Sequence, residues 1–351
     1  MSTPVPEPSD GSAGGGSPPV EQAVDPPTVL ASRGRLVARS LLGVSVGLAV
    51  AALAAYLLHV RPETLAHNLA GVPAWAIAAC VASGFVMLAL QALRWHLVMK
   101  PLLGLTYAQA YRAQVVGFMF NALLPARGGD LLRVQYLGRR TGKSRATILG
   151  TEVVDRWLDL WGWMPTAVVL ALVSDVPSWI YTALGIFGGA LGGAAVFMIV
   201  LTRRGYTPRP GSRAGAVFGA FAAGIQAFAS RRIVAIAFFV APLSWLWEAC
   251  IIRLVTPGFG IDVDLTRAFC VLVGFNMAMV VPSPGAIGTV EGGGTVAFTF
   301  FHIDAAKALA FMFVYHFAQL LPGIMAGIAI LVAEGEHLFG GPAPKPSAPP
   351  G

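Results

Sequence analysis

The chain has 351 residues, 56% hydrophobic and only 12% charged, with a formal net charge of +7. Soluble domains carry about 25% charged residues, so this composition excludes an ordinary soluble protein and points to an all-α polytopic membrane protein. The positive charge does not indicate nucleic acid, because the basic residues cluster in short loops between apolar runs, where they set topology, and no nucleic-acid-binding motif accompanies them.

Residues 1–34 are rich in Pro, Gly and Ser and cannot bury a core; residues 338–351 are similar. Both are expected to be disordered tails around a membrane domain at 35–337. No cleavable signal peptide is expected, since the first apolar run follows a long polar tail and is already of spanning length. Cys80, Cys250 and Cys270 lie singly inside apolar runs, so neither a metal site nor a cofactor is expected.

A helix needs about 20 apolar residues to cross the hydrocarbon. Six runs meet that test, near 39–58, 74–98, 147–173, 178–201, 233–255 and 306–333. Two more fail as simple spans: 107–124 runs into "PARGGD", and 266–301 is broken by "VVPSPGAIGTVEGGG". Arg33, Arg35 and Arg39 precede the first span, Lys100 follows the second, and Arg133, Arg139, Arg140, Lys143 and Arg145 precede the third. This pattern puts both termini in the cytosol of a multi-pass protein of the cell membrane. The chain between Lys100 and Arg133 begins and ends on one side and is too short for two crossings, so it is expected to be a re-entrant helical hairpin. By the same count 266–301 is a second hairpin, entered from outside. Residues 215–230 place Phe218, Phe221, Ile225 and Phe228 on one helical face, the pattern of a helix lying in the interface.

The broken segments echo each other. "FNALLPARGG" offers Asn121, Pro125 and Gly128; "FNMAMVVPSPGAIG" offers Asn276, Pro282 and Gly285. Span, hairpin, span, repeated with opposite orientation, makes a candidate inverted-topology repeat, the plan by which transporters build a midplane site from discontinuous helices.

Irregular backbone at membrane depth must be buried in protein or line a wet cavity. The break residues Pro125, Gly128, Gly129, Pro282, Pro284, Gly285 and Gly288 therefore belong in the interior. Half-helix ends there suit an anion, and Arg127 and Arg133 add guanidinium forks that match phosphate or carboxylate. Against this, Arg133 can simply snorkel to the cytosolic surface, and Arg127 can pair with Asp130. In "GTEVVDRWLDLWGW", Glu152, Asp155 and Asp159 share one helical face with Arg156 nearby. They can form an ion network with Arg127, Arg133 or Arg156, or act as partners for a proton or a lipid cation. Glu291 is the charge of the second hairpin; His316 and Gln319, one turn apart on the last span, are further lining candidates.

"NALLPARGGDLLRVQYL", "GTEVVDRWLDL" and "VPSPGAIGTVEGGG", in this order, resemble the flippase-like membrane region of the lysylphosphatidylglycerol synthases, over about residues 35–335. Asp130 stands where that family usually has Glu. The synthases carry a following aminoacyl-transferase domain, and the chain ends at 351 without one, so lysyl transfer is not expected. The resemblance implies a lipid flippase whose partner is a membrane lipid with an anionic or phosphate-bearing head group. The alternative is a non-transporting, lipid-binding partner of envelope-synthesis enzymes. No phosphatase triad, CDP-alcohol signature or metal-ligand cluster supports an enzyme.

Overall fold

The structure is a computed structural model that describes Ser45, Leu48, Ala49, Ala52, Leu53 and residues 55–124, 128–173, 178–203, 213–279, 281 and 283–334. The two expected tails, most of the first expected span, and the candidate residues Pro125, Arg127 and Pro282 lie outside these residues. All regular structure among the described residues is helical, and the protein is an all-α membrane protein. Its elements are α1 (Pro62–Ala70), α2 (Ala74–Leu103), α3 (Tyr107–Leu123), α4 (Gly128–Thr141), α5 (Arg145–Gly162), α6 (Met164–Val173), α7 (Ser178–Arg203), α8 (Arg213–Ile225), α9 (Arg231–Ala235), α10 (Ala241–Val255), α11 (Leu265–Ala278), α12 (Thr289–Thr299) and α13 (Ala305–Ala333).

Among the described residues, three helices are long and apolar enough to cross a membrane: α2, the run from α9 through α10 over Arg231–Phe259, and α13. They correspond to the expected spans at 74–98, 233–255 and 306–333. The expected span at 178–201 is the 26-residue α7. The expected span at 147–173 consists of two helices meeting at Trp163, where Pro165, the second residue of α6, cannot continue the amide ladder.

Local chemistry sets the breaks. α2 ends at Gly104, whose φ of 66° closes the helix in the left-handed region. Two residues later Thr106 and Gln109 form a capping box that starts α3. Asp264 caps α11 and Asp304 caps α13 through their side chains. At 1.5 Å per residue, the 17-residue α3 reaches about 25 Å, the 14-residue α4 and α11 about 21 Å and the 11-residue α12 about 17 Å, all short of the ~30 Å hydrocarbon core. These pairs are the two hairpins.

α13 shows that the hairpins enter from opposite faces. Its last turn is followed by Glu334, which pairs with Arg112 near the start of α3 (3.1 Å) and Arg140 near the end of α4 (2.7 Å). At its other end Lys307 reaches the carbonyl of Gly260, just before α11. The mouths of the two hairpins therefore lie at opposite ends of one helix, while their tips meet between: Gly285 packs on the backbone of Ala122. α2 precedes the first hairpin and α5 follows it, as the α9–α10 run precedes the second and α13 follows it.

Closeness within each unit depends on small residues. A Cβ on Gly129 would overlap the carbonyl of Gly117 across the first hairpin, and one on Gly224 would overlap the backbone of Thr147. The second contact seats α8 on α5. The face expected to lie in the interface is thus mostly internal: Ile225 and Phe228 are buried, and Phe228 meets Trp157 edge to face at 4.7 Å, while Phe218 stays 40% exposed.

Candidate functional site

The inner face of α5 carries the charges whose spacing was visible in the sequence, and three other helices supply what faces them. Arg94, from the middle of α2, donates from Nε to Asp155 at 2.8 Å and from Nη1 to Asp159 at 2.7 Å. Arg133, from α4, donates to Glu152 and to Gln114 of α3, lies 3.8 Å from Asp155, and stacks over the Trp95 ring at 4.4 Å. Arg156 pairs with Glu152 (2.8 Å), Asp130 (3.2 Å) and Asp159 (3.6 Å). Asn121 donates to Asp130 at 2.8 Å, and Gln114 passes the chain on to Gln91.

This is one ion network joining α2, the first hairpin and α5. Arg94, Arg133 and Asp155 are 2%, 1% and 1% exposed, which removes the snorkelling role for Arg133. Arg94 stands nine residues before the end of α2, about 14 Å along the helix axis, so the network lies inside the helix packing and away from that helix end. At that depth unpaired charge is very costly, and the dense mutual pairing is the physical condition for these residues to be there at all.

The second hairpin is built differently. Gly285 and Gly288 hold φ values of 60° and 83°, turning the chain into α12. Glu291 accepts the Gly288 amide at 2.6 Å and contacts Nδ1 of His316 on α13 at 2.9 Å, with Glu291 wholly buried. Gln319 donates to Ser83 of α2, which also accepts the Trp247 indole. Asn276 donates back to the carbonyl of Leu272 in its own helix and is not brought to either cluster. Pro284 is buried in the turn, and Gly128 packs against Leu124.

Where the tips meet, a groove of about 440 Å³ opens, lined wholly by apolar side chains: Ile77, Ala122, Leu123, Ile287 and the Val314–Ile324 side of α13. Among the described residues no His, Cys, Asp or Glu group has the arrangement to hold a metal ion.

Arg94, Gln91, Gln114 and Glu248 are among the interior polar residues that the sequence did not single out. Glu248, midway along the α9–α10 span, accepts from the Tyr315 hydroxyl at 3.2 Å. The signal for Arg94 was available, since a charge inside an otherwise apolar span marks a functional or paired residue by default.

The chain aligns with a UPF0104 membrane protein of Methanothermobacter thermautotrophicus at 28% identity over 142 residues, 38% of this chain and 42% of that protein. It thus covers less than half of the length of that curated relative. The model of the lysylphosphatidylglycerol synthase TM region matches residues 41–327, most of the chain, and the protein belongs to that family.

Proposed function

We propose that this protein translocates a lipid, a phospholipid or a polyprenyl-phosphate-linked envelope lipid, across the cytoplasmic membrane, with both termini in the cytosol. One observation carries the reading: two hairpins entering from opposite faces meet at Ala122 and Gly285, beside an apolar groove open at their junction. Inverted hairpins around a shared centre suit alternating access. An apolar groove beside a polar interior suits a molecule with a tail and a head group. The test is a reconstituted liposome assay in which a fluorescent phospholipid is scored for protein-dependent transfer between leaflets. No transfer, with lipid still bound, would leave the reading without support.

Orientation is tested on a background lacking Cys80, Cys250 and Cys270. A single cysteine at Thr141 should be labelled only from the cytosolic side; labelling from outside inverts the topology.

A second reading has its own observation. Arg94, Arg133 and Arg156 are all engaged with carboxylates of the protein, which favours a rigid, lipid-binding partner of an envelope lipid or glycan synthesis complex. The same assay separates the two, since a partner of that kind binds lipid without moving it.

A further inference from the structure

At the mouth of the first hairpin, one carboxylate collects an unusual set of donors. Glu334, the C-cap of α13, receives the Tyr136 hydroxyl at 2.6 Å, Arg140 Nη2 at 2.7 Å and Nε at 3.2 Å, and Arg112 Nη1 at 3.1 Å. Its own helix does not favour it there. The C-terminal end of a helix is the negative end of its dipole, so a carboxylate is repelled by the very carbonyls it caps. The donors hold it against that repulsion. The same residues, with Gln109 and Leu137, line a pocket of about 260 Å³, so the cradle has room beyond the carboxylate it contains.

The contrast with the deep network matters. Arg133 is sealed among internal partners, whereas the Arg112 and Arg140 side chains are 57% and 31% exposed. An anion arriving from the surface reaches these two and not Arg133. Guanidinium forks joined by a phenol hydroxyl match the oxygens of a phosphate. A phosphate there stands near the same carbonyls, but it offers the two guanidinium groups and the phenol more acceptor oxygens than a single carboxylate does.

We propose that Arg112, Tyr136 and Arg140 form a docking site for a phosphate-bearing lipid head group, and that Glu334 occupies it as an internal anion that the head group displaces. The site rests on the lipid-handling reading only for the source of the phosphate. Displacement removes the ion pairs between the end of α13 and the hairpin mouth, while the packing of Gly323 and Gly327 on α3 remains.

The test is native mass spectrometry of the full chain in detergent, titrated with phosphatidic acid, beside inorganic phosphate as a soluble competitor. Glu334→Gln, which keeps an acceptor for Tyr136 and removes the competing charge, should bind phosphatidic acid several-fold more tightly than the unaltered protein. Arg112→Gln with Arg140→Gln should lose the saturable binding. Arg112→Lys with Arg140→Lys should retain it weakly, with unchanged melting. Equal affinity in Glu334→Gln and the unaltered chain overturns the proposal, as does unfolding of Glu334→Gln, because the carboxylate is then a structural tie. Inorganic phosphate that binds as tightly as the lipid overturns the lipid source. A chain that binds as stated but transfers no lipid keeps the site and loses the translocation reading; one that transfers lipid with no effect of these variants does the reverse.

Discussion

The first hairpin leans on α5, whose inner face presents Glu152, Asp155 and Asp159 to Arg94, Arg133 and Arg156. The second leans on α13 through one Glu291–His316 contact and through Gly294 set against Met312, while Gly293 lets its own two helices close on Ala278. The two hairpins are thus held by different forces, charge pairing at the first and close apolar packing at the second. The difference teaches what each half tolerates. A buried ion network fails abruptly when one member is lost, because a stranded charge cannot leave. A glycine-lined seam loses packing area and one hydrogen bond, which is a smaller and more graded loss.

Replacing Arg94 with Ala should produce the largest effect, since it leaves Asp155 buried without its bidentate partner. A loss of about 3–5 kcal/mol is expected, seen as failure to accumulate or as a collapsed melting transition in detergent. Gly129→Ala comes next. Its methyl group meets the backbone of Gly117, which cannot swing aside, and overpacking of this kind costs about 1–3 kcal/mol. Glu291→Gln should cost less than Arg94→Ala, about 1–3 kcal/mol, because a neutral amide still accepts from Gly288. Equal damage from these two substitutions would break the comparison and make the second half as charge-dependent as the first. The smallest effect is expected at Glu248, which has a phenol and no basic group as its recorded partner among the described residues. Glu248→Gln should change stability by less than about 1 kcal/mol, and a melting curve beside that of Arg94→Ala checks it.

Much of this fold could be read from the chain because apolar run length and the Pro/Gly breaks at 125–129 and 282–288 report directly on what can and cannot cross a bilayer. The opposite entry of the hairpins followed from the loop arginines. Within the candidate site, Glu152, Asp155 and Asp159 were legible because their three- and four-residue spacing puts them on one helical face. What faces them was not. Arg94 is 61 residues from Asp155, and spacing along one helix says nothing about a neighbour that distant. Gln91, Gln114 and Glu248 are single polar residues in apolar runs, and only tertiary packing shows that they point inward. The placement of α8 was missed for a related reason. A face of Phe and Ile suits a lipid surface and a protein groove equally, and the Gly150–Gly224 contact that decides it joins distant parts of the chain.

α13 has one further property. Its N-terminal half touches the second hairpin, through Met312 and His316, and its C-terminal half touches the first, where Gly323 admits the Phe118 ring and Gly327 admits Met119. Pro322 stands at the seam between these territories. Having no amide hydrogen, it cannot bond the carbonyl of Ala318, which lines the apolar groove. The rod that links both mouths is therefore jointed where its two allegiances change. A tilt of one half at Pro322 breaks no hydrogen bond at that rung, so a molecule lodged in the groove lies beside the missing rung of one of the longest helices of the fold.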